Sequence, residues 1–390
     1  MTFSANALCY NGKLERRPRL QCPEASMERP IPIQLLDLLR GHPIACAAGD
    51  AEWEAVLSRA EEEHVLPWVA AQLRLQSADL SPAIQTRLKR IEREAAITAF
   101  FWSSELKGIL REFESRDLAV VPLKGPSLAD RIYGSKELRV SHDLDLLVSI
   151  HDLKRAEAVL TAAGFTPGSP DDYHRQWYRK TTTVELHHDV ENPLAFDFHV
   201  AGALRQSLPS EFQGQRCWQL APADELLFLC LHGVRHRFER LSLLLDLKLA
   251  FQKLAGEDGV RLRPEVAGLG DLVTLGLAMA RRLEPELTVP FATYSSPEQS
   301  ARLNNLADRL WQQLLTHRSE TLDWGSLHAF YLEIEAPGRA RLHRRLRHLR
   351  ILLGRVIEPD YKFAAKFGLH RRWQAYMLRP LRLLSNLVGR

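Results

Sequence analysis

The chain has 390 residues, 45% of them hydrophobic and 26% charged, a composition of ordinary globular proteins and a length for roughly two or three domains. Its longest apolar stretches, such as Leu243-Leu244-Leu245 and Ile351-Leu352-Leu353, are broken well before the ~18 residues that a membrane-spanning helix needs, so no transmembrane helix is expected. The formal charge of +4 is unevenly spread: residues 339–390 hold fourteen Lys or Arg against Glu358 and Asp360, which leaves an excess of eight negative charges on residues 1–338.

Residues 1–26 contain Pro18, Pro23 and several Arg, and show neither helical nor strand periodicity, so a disordered or over-extended start is expected. They also lack the basic start, apolar centre and small-residue cleavage site of a secretory signal, which points to the cytoplasm. Cys9, Cys22, Cys46, Cys217 and Cys230 are scattered and form no Cys-x-x-Cys, so reduced, inert thiols are expected rather than disulfides or a zinc ribbon.

Residues 27–115 read as a helical lead-in, with Trp53, Val56, Leu57 and Ala60, then Val65, Val69 and Leu73, at three- and four-residue spacing. At Leu118 the period changes. Leu118 to Leu123 is a short apolar run that ends in Lys124-Gly125-Pro126-Ser127 and gives way to a helical pattern from Leu128 to Tyr133: strand, tight loop, helix. Leu144, Leu146, Leu147 and Val148 make a second strand, and His151 to Ala163 a helix closed by Gly164. Thr182 to Leu186 is a third strand, rich in β-branched residues, and Phe196 to Val200 a candidate fourth. Residues 116–215 thus form an α/β core, residues 216–335 a helical domain and residues 336–390 a basic helical tail.

Asp143-Leu144-Asp145 opens the second strand, where the two-residue side-chain period puts both carboxylates on one face and Leu144 and Leu146 on the other. Converging carboxylates suit divalent ions, and phosphoryl transfer uses such ions to stabilise the attacking and leaving oxygens. An isolated Asp-x-Asp is equally a solvated turn. Lys124-Gly125-Pro126-Ser127 stands where a strand passes into a helix: Gly125 lets the backbone approach a phosphate, and Lys124 and the Ser127 hydroxyl can supplement the free N–H groups. By itself this too describes a routine turn and helix cap. Glu185, between Val184 and Leu186, points away from the core and is a third acid or an exposed edge-strand residue.

Order and spacing connect these pieces. The succession strand, Lys124-Gly125 loop, helix, Arg139-x-Ser141-x-Asp143-x-Asp145, then an acid between apolar residues resembles the nucleotidyltransferase superfamily, and most closely its bacterial family of uncharacterised nucleotidyltransferases. The resemblance runs from about Leu35 to about Leu254, through Gly164-Phe165, Val184-Glu185-Leu186-His187, Asp224-Glu225-Leu226-Leu227, Leu231-His232 and Leu245-Asp246-Leu247. It implies an α+β fold, a small mixed-sheet nucleotidyltransferase core embedded in mostly α-helical flanking segments. It further implies Mg2+ or Mn2+ held by Asp143, Asp145 and Glu185, and a nucleoside triphosphate at Lys124, Gly125 and Ser127, with Arg139 and Ser141 in the polar positions ahead of the acids. Arg139 is expected beside the phosphates or in a structural salt bridge. Pro126 departs from the superfamily, which has a second small residue at that place.

The doublets His142-Asp143, His151-Asp152 and His188-Asp189 raise a His-Asp metal phosphohydrolase, but two of them fall on or beside strands, whereas that chemistry needs packed helices. His232-x-x-x-His236 has the spacing of a zinc pair, yet Gly233 replaces the general-base Glu of a metalloprotease, so a helix packed beside the active site is the better reading. In the tail, Leu342, Leu346, Leu349 and Leu353 form a helical stripe among arginines, followed by basic residues interleaved with Phe363, Phe367, Trp373 and Tyr376. Such a tail either holds a polyanion, RNA or an anionic membrane surface, or docks by its leucines and leaves its arginines in water. The acceptor of the transferred group is left open: a small molecule, a peptide or protein, or RNA for a toxin-like enzyme. A non-catalytic nucleotide-binding scaffold is a further reading, disfavoured by the intact acids.

Overall fold

A computed structural model describes residues 31–44, 49–76, 80–170, 173–191, 196–254, 261–290, 294–316 and 324–335, with short stretches between 363 and 382. The expected N-terminal segment 1–26 and the leucine stripe of the basic tail lie outside the described residues. No helix among the described residues is long and apolar enough to cross a membrane.

The lead-in folds as four helices: α1 (Ile33–Arg40), α2 (Asp50–Glu62), α3 (Leu66–Gln76) and α4 (Pro82–Glu114). Helix α4 starts cleanly because the Ser81 hydroxyl accepts the Ile84 N–H and Pro82 sits in the first turn, where no N–H is needed. This long helix joins two apolar cores. Ile84, Leu88 and Ile91 pack with α1–α3 in the larger core, whereas Trp102, Leu106, Ile109, Leu110 and Phe113 pack beneath the sheet in the smaller one.

The sheet has five strands in the order β1-β2-β5-β4-β3. These are β1 (Val121–Pro122), β2 (Leu144–Leu147), β3 (Thr166–Pro170), β4 (His174–Arg179) and β5 (Thr182–His187), and only the central β2–β5 pair is parallel. Between β1 and β2 the chain makes the short helix α5 (Gly125–Leu128), which runs into one π turn (Ala129–Tyr133). Helix α6 (Leu153–Ala162) follows β2 and covers the lower face. The mixed sheet within mostly helical surroundings is the expected α+β architecture.

Side-chain alternation sorts the sheet's two faces. Leu144, Leu146 and Val148 of the second strand, Val184 and Leu186 of β5 and Trp177 of β4 all enter the smaller core. Asp145, Glu185, His187, Gln176 and His174 take the intervening positions and so share the upper face.

Three expectations are corrected here. Phe196 to Val200 is not a strand: residues 196–199 are irregular and Val200 opens α7 (Val200–Gln206). Phe196 and Phe198 are both buried, which gives a strand-like alternation, but the Phe198 carbonyl accepts from Arg263 at 3.0 Å instead of joining a ladder. The run Leu118 to Leu123 contributes only the two residues of β1 to the five-stranded sheet, although the Val120 carbonyl also accepts the Trp218 N–H at 2.9 Å. The core also contains strands that the sequence reading did not find, β3, β4 and the hairpin β6 (Leu208–Phe212) and β7 (Gln215–Gln219).

The larger core is completed by α8 (Pro222–Arg235), α9 (Leu241–Leu254), α10 (Gly270–Leu283), α11 (Pro297–Leu315) and α12 (Trp324–Ile334). Helix α8 passes close to α10, where a Cβ at Gly276 would lie 2.4 Å from the Cys230 sulfur, so only glycine fits. Cys217 and Cys230 are buried free thiols.

Candidate active site

The parallel pairing of β2 with β5 puts Asp145 directly opposite Glu185. Two strands of ordinary apolar alternation thereby deliver two carboxylates to one place, and His187, two residues after Glu185, joins them on the same face. Its Nε2 lies 3.2 Å from Asp145 Oδ1 and 3.5 Å from Glu185 Oε2. Asp145 and His187 are almost wholly buried.

The sequence reading gave His187 no role. The two-residue period that brings Glu185 to the upper face brings His187 there as well, and that was the available signal. Gln176, opposite Glu185 on β4, donates to Glu185 Oε1 at 2.8 Å, and its own carbonyl accepts from Tyr178 at 2.5 Å. The His174 ring stacks on His187, 5.1 Å between centroids.

Lys124 precedes α5 in an extended conformation, and Gly125 has φ +69°, a left-handed value that favours glycine. This bend turns Lys124 over the end of β2, where its Nζ lies 3.1 Å from Asp145 Oδ2. The Leu123 N–H, which donates to the Asp145 carbonyl at 2.9 Å, holds the loop against the strand.

Electrostatics divide the acids. Burial works to raise the Asp145 carboxyl, but Lys124 and the hydrogen bond from His187 overcome it and hold the group well below the usual carboxylate range. Glu185 likewise falls to about 2: burial works to raise it, but the hydrogen bond and charge of His187, with the hydrogen bond from Gln176, together outweigh burial. Asp143 is pushed up to about 6 by burial and by the neighbouring Asp145 charge. His187 is raised, burial being overcome by Asp145 and Glu185. The metal-free site therefore sets the Lys124 ammonium and a His187 ring of raised proton affinity against its carboxylates.

This set of groups fits a divalent ion. Asp145, Glu185 and His187 each offer one ligand atom, and the three atoms lie within 4.8 Å of one another. The edges of 3.2 and 3.5 Å are those that two ligands about 2.1–2.2 Å from a common ion subtend. A void of about 10 Å³, the space of one small particle, borders Lys124, Asp145 and His187 and is closed by Phe228, His232 and Arg235 of α8. His232 Nδ1, buried at this void, has no hydrogen-bond partner. Asp143, at the mouth of β2, stands outside this trio and is only half-buried.

The other residues singled out in the sequence lie around this centre. Arg139 is fixed by Asp246 of α9 through two bonds of 2.8 and 2.9 Å, and Tyr133 donates to the same carboxylate at 2.6 Å. Of the two roles open to Arg139, the structure displays the salt bridge. Ser127 is buried and accepts from Arg131 at 2.6 Å, while Arg131 also pairs with Glu225. Ser141 and Arg139 line a second, larger cavity of about 340 Å³ between α4 and residues 136–142, which reaches Pro126 of the loop. His232 and His236 meet edge to face at 4.7 Å, burial lowers both pKa values, that of His236 to about 3, and neither joins a cluster of three or more potential metal ligands among the described residues. Arg235, unnoticed in the sequence, lines the void beside Lys124 and donates to the Tyr173 hydroxyl at 3.1 Å.

No curated protein matches the chain. Among solved structures, an antigenic nucleotidyltransferase-like protein from Paracoccidioides brasiliensis is similar over 48% of this chain and 89% of its own, with 16% identity and a TM-score of 0.34. Residues 49–284, more than half of the chain, match the family described as uncharacterised nucleotidyltransferase. That span contains both strands of the acidic centre, the Lys124-Gly125 loop and the helices α8 and α9 that close over them, and the chain belongs to this family of nucleotidyltransferases.

Proposed function

We propose that the protein transfers a nucleoside monophosphate from a nucleoside triphosphate to an acceptor oxygen in a metal-dependent reaction. The observation that carries this reading is the register of β2 with β5, which sets Asp145 against Glu185 beneath Lys124. In the reaction an acceptor oxygen attacks the α-phosphorus, the bond from that phosphorus to the bridging oxygen breaks, and pyrophosphate leaves with the electron pair. The acceptor's proton passes to solvent. A divalent cation supplies charge stabilisation for the attacking and leaving oxygens.

Asp145 and Glu185 would hold the cation, and Asp143 would extend the acidic edge toward the substrate. Their low pKa values keep Asp145 and Glu185 charged across the physiological range. Lys124, which pairs with Asp145 at 3.1 Å, would be available to the triphosphate with a cation bound, and Arg235 adds a second positive group at the same void. The bend at Gly125 brings the loop backbone toward the phosphates, with the Ser127 hydroxyl free to donate. The 340 Å³ cavity beside Pro126 and Ser141 receives the nucleoside, its apolar walls coming from Ile91, Ala95, Ala99 and Trp102 of α4.

The experiment is direct: incubate the protein with each α-labelled triphosphate, a divalent cation and cell extract, then follow the label. Label in a small molecule, a protein or RNA identifies the acceptor class. No transfer from any triphosphate, with the fold intact and the metal bound, would leave a nucleotide-binding scaffold as the reading.

A further inference from the structure

We propose that His187 Nε2 is a direct ligand of the site's metal ion, and that this nitrogen donor makes the site prefer a first-row transition dication to Mg2+. The inference rests on the metal-dependent reading above and goes beyond it, because carboxylates alone give a hard, all-oxygen site.

The orientation of the ring carries the argument. His187 Nδ1 lies 3.2 Å from the Asp189 backbone carbonyl. A carbonyl only accepts, so the hydrogen of that bond sits on Nδ1, and in the neutral ring the lone pair belongs to Nε2. This is the arrangement by which metal-binding histidines are held: one nitrogen donates to a backbone carbonyl or carboxylate, the other faces the ion. Here Nε2 faces Asp145 Oδ1 at 3.2 Å and Glu185 Oε2 at 3.5 Å.

A structural histidine would need no space beside it. Yet a void of one-particle size adjoins both His187 and Asp145 but not Glu185, and is bordered elsewhere by Lys124, Val190 and Phe228, Leu231, His232 and Arg235 of α8. The His187 ring stacks against His174 at 5.1 Å and lies near Tyr173, contacts that favour the plane in which Nε2 is presented. One imidazole with two carboxylates is a borderline donor set. It suits Mn2+, Fe2+, Co2+ or Zn2+, whereas Mg2+ is dehydrated reluctantly and favours oxygen.

The test uses the full-length protein, Mn2+ and Mg2+. Pulsed electron paramagnetic resonance on the Mn2+-loaded protein should show nitrogen modulation from a bound imidazole, and calorimetry should show Mn2+ held at least about 10-fold more tightly than Mg2+. His187→Asn keeps an amide near Nδ1 for the Asp189 carbonyl but deletes Nε2. It should lose the nitrogen modulation and about 100-fold in Mn2+ affinity, with a smaller loss for Mg2+. His187→Gln, which can offer an amide oxygen near the position of Nε2, should recover Mg2+ binding before Mn2+ binding. Wild-type protein that binds Mn2+ without nitrogen modulation, or a folded His187→Asn that keeps its Mn2+ preference, would overturn the inference and leave the metal-dependent function standing. If Asp145→Asn and Glu185→Gln bind Mn2+ as wild type does, both the inference and the function fall. Should His187→Asn not fold, the spectrum of the wild-type protein decides.

Discussion

Lys124 Nζ contacts Asp145 Oδ2 at 3.1 Å, although the two side chains come from a loop and a strand of opposite charge demand. The ammonium neutralises a carboxylate that is 1% exposed and that the proposed function assigns to the cation. On the proposed metal-dependent reading, metal loading and lysine release are linked: a cation held by Asp145 would take over the lysine's counter-charge role, and the freed lysine would face the triphosphate.

This linkage gives the first prediction. Lys124→Met should lower the stability of the metal-free protein by roughly 3 kcal/mol, since removing one partner strands a buried charge. Added Mn2+ should then raise its melting temperature by more than it raises that of wild type, where the ion must first displace the lysine. An equal or smaller shift in the variant would show that the lysine and the ion do not compete.

The two aspartates should respond oppositely to neutralisation. The Asp143 carboxyl, raised to about 6, binds its proton more tightly in the folded state than at the unfolded value of about 3.9. Ionised Asp143 thus costs stability increasingly as the pH climbs between those values, and the cost is constant above them. Asp145 is held below the usual range, so its contribution is present at neutral pH and is lost as the pH falls through the acid range. Without metal at pH 7.5, Asp143→Asn should melt higher than wild type by about 1 kcal/mol or more, a gain that vanishes near pH 4. Asp145→Asn should melt lower. Thermal melting across that pH range checks both signs, and a parallel change in the two variants would contradict the division of charge. Both variants should lose transfer by about 100-fold or more.

The central strands were legible because their alternation is simple. Leu144, Leu146 and Val148 against Asp145, and Val184 and Leu186 against Glu185, leave one choice of inward face. Strand β4 hid itself by the same logic: its upper face is the polar floor of the site, and only Trp177 marks its inward side. Strand β3, Thr-Pro-Gly-Ser-Pro, has the composition of a loop. The β6–β7 hairpin did carry a signal, the Gln213-Gly214 turn, in which both residues adopt positive φ. At Phe196 the aromatic alternation misled, because burial with a period of two does not require a strand partner.

The site was legible only in part for a different reason. Residue types and local period identify Asp145 and Glu185, but the partners that decide a side chain's task are distant in sequence. Asp246 lies 107 residues from Arg139, and Asp145 lies 42 residues from His187. No local pattern distinguishes an arginine held by Asp246 from one left free for phosphate.

The third prediction follows from that pairing. Arg139→Ala leaves Asp246 and the Tyr133 hydroxyl buried without their guanidinium and should cost about 3–5 kcal/mol. A double replacement, Arg139→Met with Asp246→Leu, removes both charges and should regain much of that loss. Melting of the two proteins decides: an arginine acting chiefly on phosphate would leave the stability of Arg139→Ala near that of wild type.

The fourth prediction concerns the cavity between α4 and residues 136–142. Ala95, Ala99 and Trp102 lie on one face of α4 at helical spacing and turn toward Pro126 and Ser141, so the cavity adjoins the Lys124-Gly125-Pro126 loop on one side and the residues leading into Asp143 on the other. A volume of about 340 Å³ is enough for a nucleoside, and the apolar walls would bury the faces of its base. Ala99→Trp projects an indole into this space. It should weaken nucleoside triphosphate binding by about 10-fold or more, the scale of losing one well-packed apolar contact surface. Mn2+ binding should be unchanged, because Asp145, Glu185 and His187 lie on strands that the indole does not reach. Titration of triphosphate in the presence of metal separates the cases. Weakened nucleotide affinity assigns the cavity to the nucleoside, whereas normal nucleotide affinity with lost transfer would assign it to the acceptor and overturn this placement.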